Sequence, residues 1–372
     1  MRVKGLEPLA GCRARSPALK TELPHVSAVD MSHIGGDGGN MDNKIDFVMI
    51  WVDGNDPEWQ KEKNKYDPTF DGVDNTIVRF RDWDNLQYWF RGAEKFAPWV
   101  NRIHFVTWGH LPKWLNTSHP KLNIVNHKDF IPQKYLPTFN SNAIELNLHR
   151  IEGLADQFVY FNDDMFLTSP SRPEDFFRDG RPLDTYGLDC IFFSRNSAGF
   201  FNGNNMEIIN SNFDKNACFR ENRRKWFSLK NGLKRVIKTA ALDMWPWFPG
   251  MYYNHLSGNY LKSTFIEAWE KDGESLDMTC KEKFRTKGNC NQWVMKFWQL
   301  AKGIAVPKSV KGGHCFHIRE RLSESDIKDI AGGRYQQICI NDTVETANFE
   351  EEKRRVREAF EKLLPGKSGF EI

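Results

Sequence analysis

The chain has 372 residues, with 52 basic and 49 acidic side chains, a formal charge of +3, 40% hydrophobic residues and 27% charged ones. This mix excludes a mainly disordered or fibrous chain and suits one large α/β domain or two modest ones. The near-balanced charge argues against a nucleic-acid partner, and no run approaches the ~18 uncharged apolar residues of a membrane helix.

Residues 1–43 have no apolar signal-peptide core and are rich in Gly, Pro and Ser, so they read as a disordered leader. Met41 stands just ahead of the first strand-like run, so the preceding forty residues are either a misassigned start or a dispensable tail. The seven cysteines are odd in number and form no CxxC, which points to reduced thiols and a cytoplasmic location. The 13 Trp and 28 Phe are an unusual load; where exposed, they favour ligands that stack, such as sugars.

The apolar run Ile45–Val52 predicts a buried strand closed by the turn Asp53-Gly54, and Pro57 sits in the first turn of a helix that reaches Tyr66. Leu86, Trp89, Phe90, Ala93 and Phe96 have the spacing of an amphipathic helix ended by Pro98. Strands follow at 102–107, 121–126 and 157–161, with a helix over 142–155. Such alternation implies parallel strands joined by helical crossovers, and ligands of such sheets bind at the strands' carboxyl ends. Asp53 and Asp163-Asp164 both fall at such ends.

Beyond residue 170 the chain is punctuated by Pro and Gly. Over 220–238 eight basic residues stand against one acidic residue, with Trp226, Leu229, Leu233, Val236 and Ile237 at helical spacing. One basic amphipathic helix is expected there. It suits peripheral contact with an anionic inner membrane face or a phosphate-bearing polymer, or else is a solvated cationic face packed through Trp226 and Leu233. Further helices are expected over 291–300 and 348–364.

The chemical lead is Phe161-Asn162-Asp163-Asp164-Met165. Adjacent carboxylates at the end of a buried strand resemble the acidic pair with which nucleotide-sugar enzymes hold Mg²⁺ or Mn²⁺ against a diphosphate; the bland alternative is a solvated turn. Asp53-Gly54 is either an ordinary βα turn or a nucleoside-binding one. Arg79 and Arg81 would share a strand face suited to a diphosphate, or form a surface ion pair with Asp82 or Asp84. His255 is a general acid/base or a packing histidine, and Arg285 a phosphoryl-stabilising group or a surface charge.

The ordered segments together resemble the Stealth family, which includes bacterial capsular-polysaccharide phosphotransferases and the catalytic part of the animal lysosomal-enzyme N-acetylglucosamine-1-phosphotransferase. Four blocks over residues 45–372 carry the resemblance. They are Ile45-Asp46-Phe47-Val48 with Trp51 to Pro57; the stretch from Arg79-Phe80-Arg81-Asp82 to Phe161-Asn162-Asp163-Asp164; Asn254 to Gly303 with His255 and Phe284-Arg285; and Ile338-Cys339-Ile340-Asn341-Asp342. Residues 168–250 match no family motif and are expected to hold the acceptor-specific part.

The resemblance implies transfer of a hexose 1-phosphate, as N-acetylhexosamine 1-phosphate, from a UDP-sugar to a glycan or phosphoglycan hydroxyl with release of UMP. This would be a phosphotransferase for substituted phosphate groups, acting in capsular or exopolysaccharide synthesis. It assigns Asp163 as base or acceptor-orienting carboxylate, His255 to shared acid/base duty, and Arg285 to the transferring phosphoryl group. Asp164, Asn341 and Asp342 would hold Mg²⁺ or Mn²⁺. Asp53, Gly54, Arg79 and Arg81 would bind the uridine diphosphate, and Asn140, Ser141 and Glu145 would line the donor pocket. No organic cofactor is implied. The alternatives are a metal-dependent glycosyltransferase releasing UDP and a non-enzymatic carbohydrate-binding module.

The expected fold class is α/β: a mostly parallel, nucleotide-sugar-binding (GT-A-like) core over 44–168, after the 1–43 leader. A helical, aromatic-rich insertion over 169–250 follows, and 251–372 would complete the catalytic domain.

Overall fold

The structure, a computed structural model, describes residues 44–66, 82–193, 199–318, 321–342 and 348–372. The predicted leader and both Arg79 and Arg81 lie outside the described residues. The first four strands follow the apolar runs: β1 (Ile45–Ile50), β2 (Ile103–Thr107), β3 (Leu122–Asn126) and β4 (Gln157–Phe161). They form a central sheet in the order β3-β2-β1-β4, all parallel. A fifth strand outside the expected set follows three short ones, β5 (Met165–Leu167), β6 (Phe177–Arg178) and β7 (Arg181–Asp184). This is β8 (Gly258–Leu261), which closes the sheet antiparallel to β4. The fold is thus α/β with a mostly parallel sheet, as expected.

Because side chains alternate across a strand, the sheet feeds two cores. Val48, Val106, Phe158 and Tyr160 enter one, and Phe47, Met49, Phe105, Val159 and Phe161 enter the other. Helix α1 (Pro57–Tyr66) leaves the β1 turn, and α2 (Leu86–Phe96) packs Leu86, Trp89, Phe90, Ala93 and Phe96 into the second core, the predicted stripe. Gly92 on α2 permits a close approach to β5, since a Cβ there would lie 2.6 Å from the Leu167 carbonyl oxygen.

The expected helix over 142–155 is shorter. After the single turn α3 (His127–Phe130), α4 runs Ser141–Leu146 and gives way to a 3₁₀ turn, Leu148–Arg150. Asn147 stands at the break, its amide donating to the Ala143 carbonyl at 2.8 Å and to Cys280 Sγ at 3.3 Å. Helices α5 (Gly199–Asn212), α6 (Lys215–Trp226), α7 (Leu233–Leu242), α8 (Lys262–Lys281) and α9 (Trp293–Ala301) follow, α8 and α9 filling the first core.

The single basic helix expected over 220–238 is two helices, α6 and α7. Ser228 caps a 3₁₀ turn at Leu229–Asn231, the Asn231 amide donates to the Lys225 carbonyl at 2.8 Å, and Gly232 takes φ 92°. The Asn-Gly pair is turn chemistry, and the apolar spacing ran across it by coincidence. Trp226 is fully buried as expected, but Leu233 is exposed.

The remaining elements are β9 (Val306–Pro307), β10 (Gly313–Ile318), α10 (Glu324–Ala331), β11 (Gln337–Asp342) and α11 (Phe349–Leu363). A small sheet β10-β11-β5 has β10 parallel to β11 and β11 antiparallel to β5; another has the order β6-β7-β9. Among the described residues no helix is long and apolar enough to cross a membrane.

Candidate active site

Strand register brings the candidate residues together. Parallel pairing of β1 with β4 sets Met49 opposite Phe161, so the Asp53 turn and Asp163-Asp164 leave the same edge of the sheet. Antiparallel pairing of β4 with β8 sets Tyr160 opposite Gly258, which carries His255 back toward residue 163. Antiparallel pairing of β5 with β11 sets Met165 opposite Cys339, and the next N–H, that of Ile340, donates to the Asp164 carbonyl at 2.8 Å.

The result is a cluster around Asp164. His255 Nε2 lies 3.5 Å from its Oδ2, and the Cys339 thiol donates to the same oxygen at 3.2 Å. The Asn341 amide donates to His255 Nδ1 at 3.2 Å, which leaves the ring proton on Nε2, toward Asp164. Asp164, His255 and Cys339 each place a ligand atom within 4.8 Å of the others. Asp342 stands apart from this trio, its Oδ2 accepting from the Trp83 indole at 3.1 Å.

Asp163 points to solvent, yet protein surrounds it closely enough that lost hydration, and then the negative Asp164, push its pKa up to about 7. Asp82 adds to that repulsion and the Arg285 guanidinium opposes it. Arg285 donates through Nε to Ser141 Oγ at 3.2 Å, with Nη2 on the same oxygen. Phe284 stacks on Phe139, ring centroids 5.4 Å apart, and so fixes the Arg285 loop against the segment leading into α4.

Two of the residues expected to line the donor pocket are buried. Asn140 is fully buried; its amide donates to Asn289 Oδ1 at 2.9 Å and to the Glu282 and Phe284 carbonyls at 3.3 Å, while its Oδ1 caps α4. It clamps the Arg285 loop and has no group left for a ligand. Glu145 is buried beneath Tyr160, whose hydroxyl donates to it at 2.9 Å, and burial raises its pKa.

Asp53 is half-buried in the turn after β1. Its backbone N–H donates to His110 Nε2 at 2.7 Å, its Oδ1 accepts from Asn55 N, and the buried Gly54 gives its carbonyl to Gln60. Burial lowers the His110 pKa and keeps the ring a neutral acceptor. His110 packs edge-on against Trp51 at 5.2 Å, and with Cys339 it is a site residue that motif spacing missed. The only signal for Cys339 was its place in the Cys339–Asp342 run.

The residues suit a cation. Asp164 Oδ1 is buried and has no hydrogen-bond partner among the described residues, and its carboxylate is close enough to Asp163 to raise that group's pKa. Oxygen ligands of this kind hold hard divalent ions, although His255 and Cys339 are softer donors. A cavity lined by Asp184, Lys296 and Lys308 reaches Asn254 and Leu256, which flank His255, but it does not include the Asp163-Asp164 pair.

Two conserved regions of one family match the chain: Stealth protein CR1, conserved region 1, over residues 43–71, and Stealth protein CR2, conserved region 2, over residues 79–183. The second runs past residue 168, so the stretch without a family motif begins later than expected. The capsular polysaccharide phosphotransferase WcwK of Streptococcus pneumoniae is 40% identical over 330 residues, 88% of this chain and 98% of that protein. The receptor polysaccharide phosphotransferase WefC of Streptococcus gordonii is 41% identical over 336 residues, 89% of this chain and all (100%) of that protein. The exopolysaccharide phosphotransferase cps2G of Lactiplantibacillus plantarum is 36% identical over 329 residues, 88% of this chain and 96% of that protein. Among solved structures the galactosyltransferase LgtC overlays with a TM-score of 0.37 at 10% identity, over 85% of this chain and 95% of that one, a likeness too slight to place a ligand.

Proposed function

This chain belongs to the Stealth family and is a phosphotransferase, and we propose that it moves a hexose 1-phosphate from a UDP-sugar to a glycan hydroxyl in capsular or exopolysaccharide synthesis. The observation that carries this reading is the convergence of Asp163, Asp164, His255 and Arg285 at one edge of the parallel sheet, beside the Asp53 turn. The acceptor oxygen attacks the β-phosphorus, an O–P bond forms, and the bond from that phosphorus to the bridging oxygen breaks. UMP leaves and the product is a phosphodiester. The donor would be an N-acetylhexosamine derivative and the reaction cytoplasmic.

Asp163, open to solvent and raised toward neutrality, takes the acceptor proton; a base works best with its pKa near the working pH. His255, held by Asn341, orients Asp164 by turning its Nε2 proton toward that carboxylate. Arg285, fixed on Ser141, faces the transferring phosphoryl oxygens as their charge develops. Asp53 and Gly54, with Arg79 and Arg81, bind the uridine diphosphate. Asp164, with the Asn341-Asp342 end of β11, would hold Mg²⁺ or Mn²⁺, which when bound would offset diphosphate charge and polarise its oxygens.

The test is incubation with a panel of UDP-sugars and a glycan acceptor, with Mg²⁺ or Mn²⁺, and chromatography of the nucleotide. UMP is expected, and EDTA should stop its release. UDP would instead identify a glycosyltransferase attacking the anomeric carbon, and sugar binding without turnover a carbohydrate-binding module. Arg285→Ala should lower kcat by about 10²–10³-fold, the usual loss for one charge-stabilising donor, with circular dichroism unchanged. A KM change alone would limit Arg285 to binding.

A further inference from the structure

Helix α7 carries an apolar face turned away from the protein. Leu233, Ile237, Ala240 and Ala241 recur at three- and four-residue spacing, so they share one side of the helix, and all are exposed. Leu233 and Ile237 leave 64% and 61% of their surface open. The inward side is largely polar: Thr239 is buried and its Oγ1 accepts from the Leu188 N–H at 3.0 Å, and Arg235 lies over the Tyr252 ring, with Leu242 half-buried beside them. A surface helix ordinarily turns its apolar stripe inward. This one has its larger stripe in water.

The patch continues at both ends of the helix. Leu229 is 74% exposed before it; Met244, Trp245 and Trp247 are 78%, 49% and 60% exposed after it. Single exposed apolar residues are ordinary, but this many within one short stretch of chain mark a contact surface. Its charge says what kind. Seven basic residues and no acidic one occur between Arg223 and Leu242, and Lys230 and Lys234 are exposed beside the stripe. Asp243, the next acid, is held by the buried ammonium of Lys215, and Asp189 by Lys238. Lysines flanking an apolar stripe, with tryptophans at its end, are the makeup of a helix lying in a lipid interface. The long lysine stems let the charges reach headgroup phosphates while Leu233 and Ile237 enter the acyl boundary.

We propose that α7 and the Trp245–Trp247 segment dock this protein on an anionic lipid bilayer. The surface alone supports this, independently of the donor chemistry proposed above. The test is co-sedimentation of the full chain with vesicles of phosphatidylglycerol and phosphatidylcholine, against phosphatidylcholine alone. Binding to the anionic vesicles should be about tenfold tighter or more and should weaken with salt. L233E/I237E and W245S/W247S should each lose about tenfold of that binding. Both pairs are exposed, so circular dichroism and turnover of soluble donor and acceptor should match wild type. Equal binding to neutral and anionic vesicles would overturn the proposal, as would variants that bind like wild type. So would a dimer in solution that L233E/I237E dissociates while vesicles are ignored, for then a second copy covers the face.

Discussion

Asp163→Asn should abolish transfer, lowering kcat by roughly 10²–10⁴-fold, the range that a positioned base supplies. Asn is isosteric and Asp163 is exposed, so the fold should not notice the change. Removing this charge also removes repulsion from Asp164 and Asp82, so stability should hold or rise slightly. Asp164→Asn should be as damaging for a different reason. Its Oδ2 is shared by His255 and Cys339 while its buried Oδ1 awaits a partner, so the substitution disturbs the cation site and the histidine together. Calorimetry with a UDP-sugar separates the two roles. Asp163→Asn should still bind donor with Mg²⁺, whereas Asp164→Asn should lose the metal-dependent part of that binding. Near-normal turnover of Asp163→Asn in the UMP assay would remove it from the role of base.

What the sequence made readable and what it hid have physical causes. β1, β2 and β4 are covered on both faces, so they read as mainly apolar runs, and their parallel pairing could be inferred from the helices between them. That sufficed to place Asp53 and Asp163-Asp164 at the same edge of the sheet. It could not place His255, because β8 is only Gly258–Leu261, too short and too polar to announce a strand, and its pairing spans almost a hundred residues. β11 is longer and more apolar, but its antiparallel pairing with β5 is more distant still in sequence, and that pairing brings Cys339 to Asp164. Motif resemblance marked His255 and Asn341 without saying that one holds the other. Nor does a motif reveal which residues are bound up in the protein's own hydrogen bonds, as the buried Asn140 and Glu145 are. In the basic segment, helical spacing of apolar residues concealed a turn that Asn231-Gly232 should have flagged.

The opposite edge of the sheet provides the largest expected loss of stability. Asp46, fully buried on β1, accepts from Asn101 Nδ2 at 2.6 Å and from the Ala155 N–H at 2.9 Å, and lies 3.0 Å from His104 Nε2. His104, also buried, meets Asn123 at 2.9 Å, so one carboxylate ties together β1, β2, β3 and the turn before β4. Asp46→Ala should cost about 3–5 kcal/mol, the usual result of breaking a buried pair, because the imidazole and the Ala155 N–H would be left without an acceptor. Burial alone would raise the Asp46 pKa, but His104, the Ala155 N–H and Asn101 outweigh it and hold the group below the usual carboxylate range. The sign follows from linkage. A carboxylate whose folded pKa is depressed stabilises the fold above its unfolded value of about 4, and that contribution fades as pH falls through the lower folded value. Urea unfolding of wild type should therefore weaken with acid below about pH 4, and the variant, less stable throughout the neutral range, should show a flatter dependence there. Equal midpoints at pH 7 would mean that the His104 and Ala155 groups find other partners and that the network does not hold the sheet's edge.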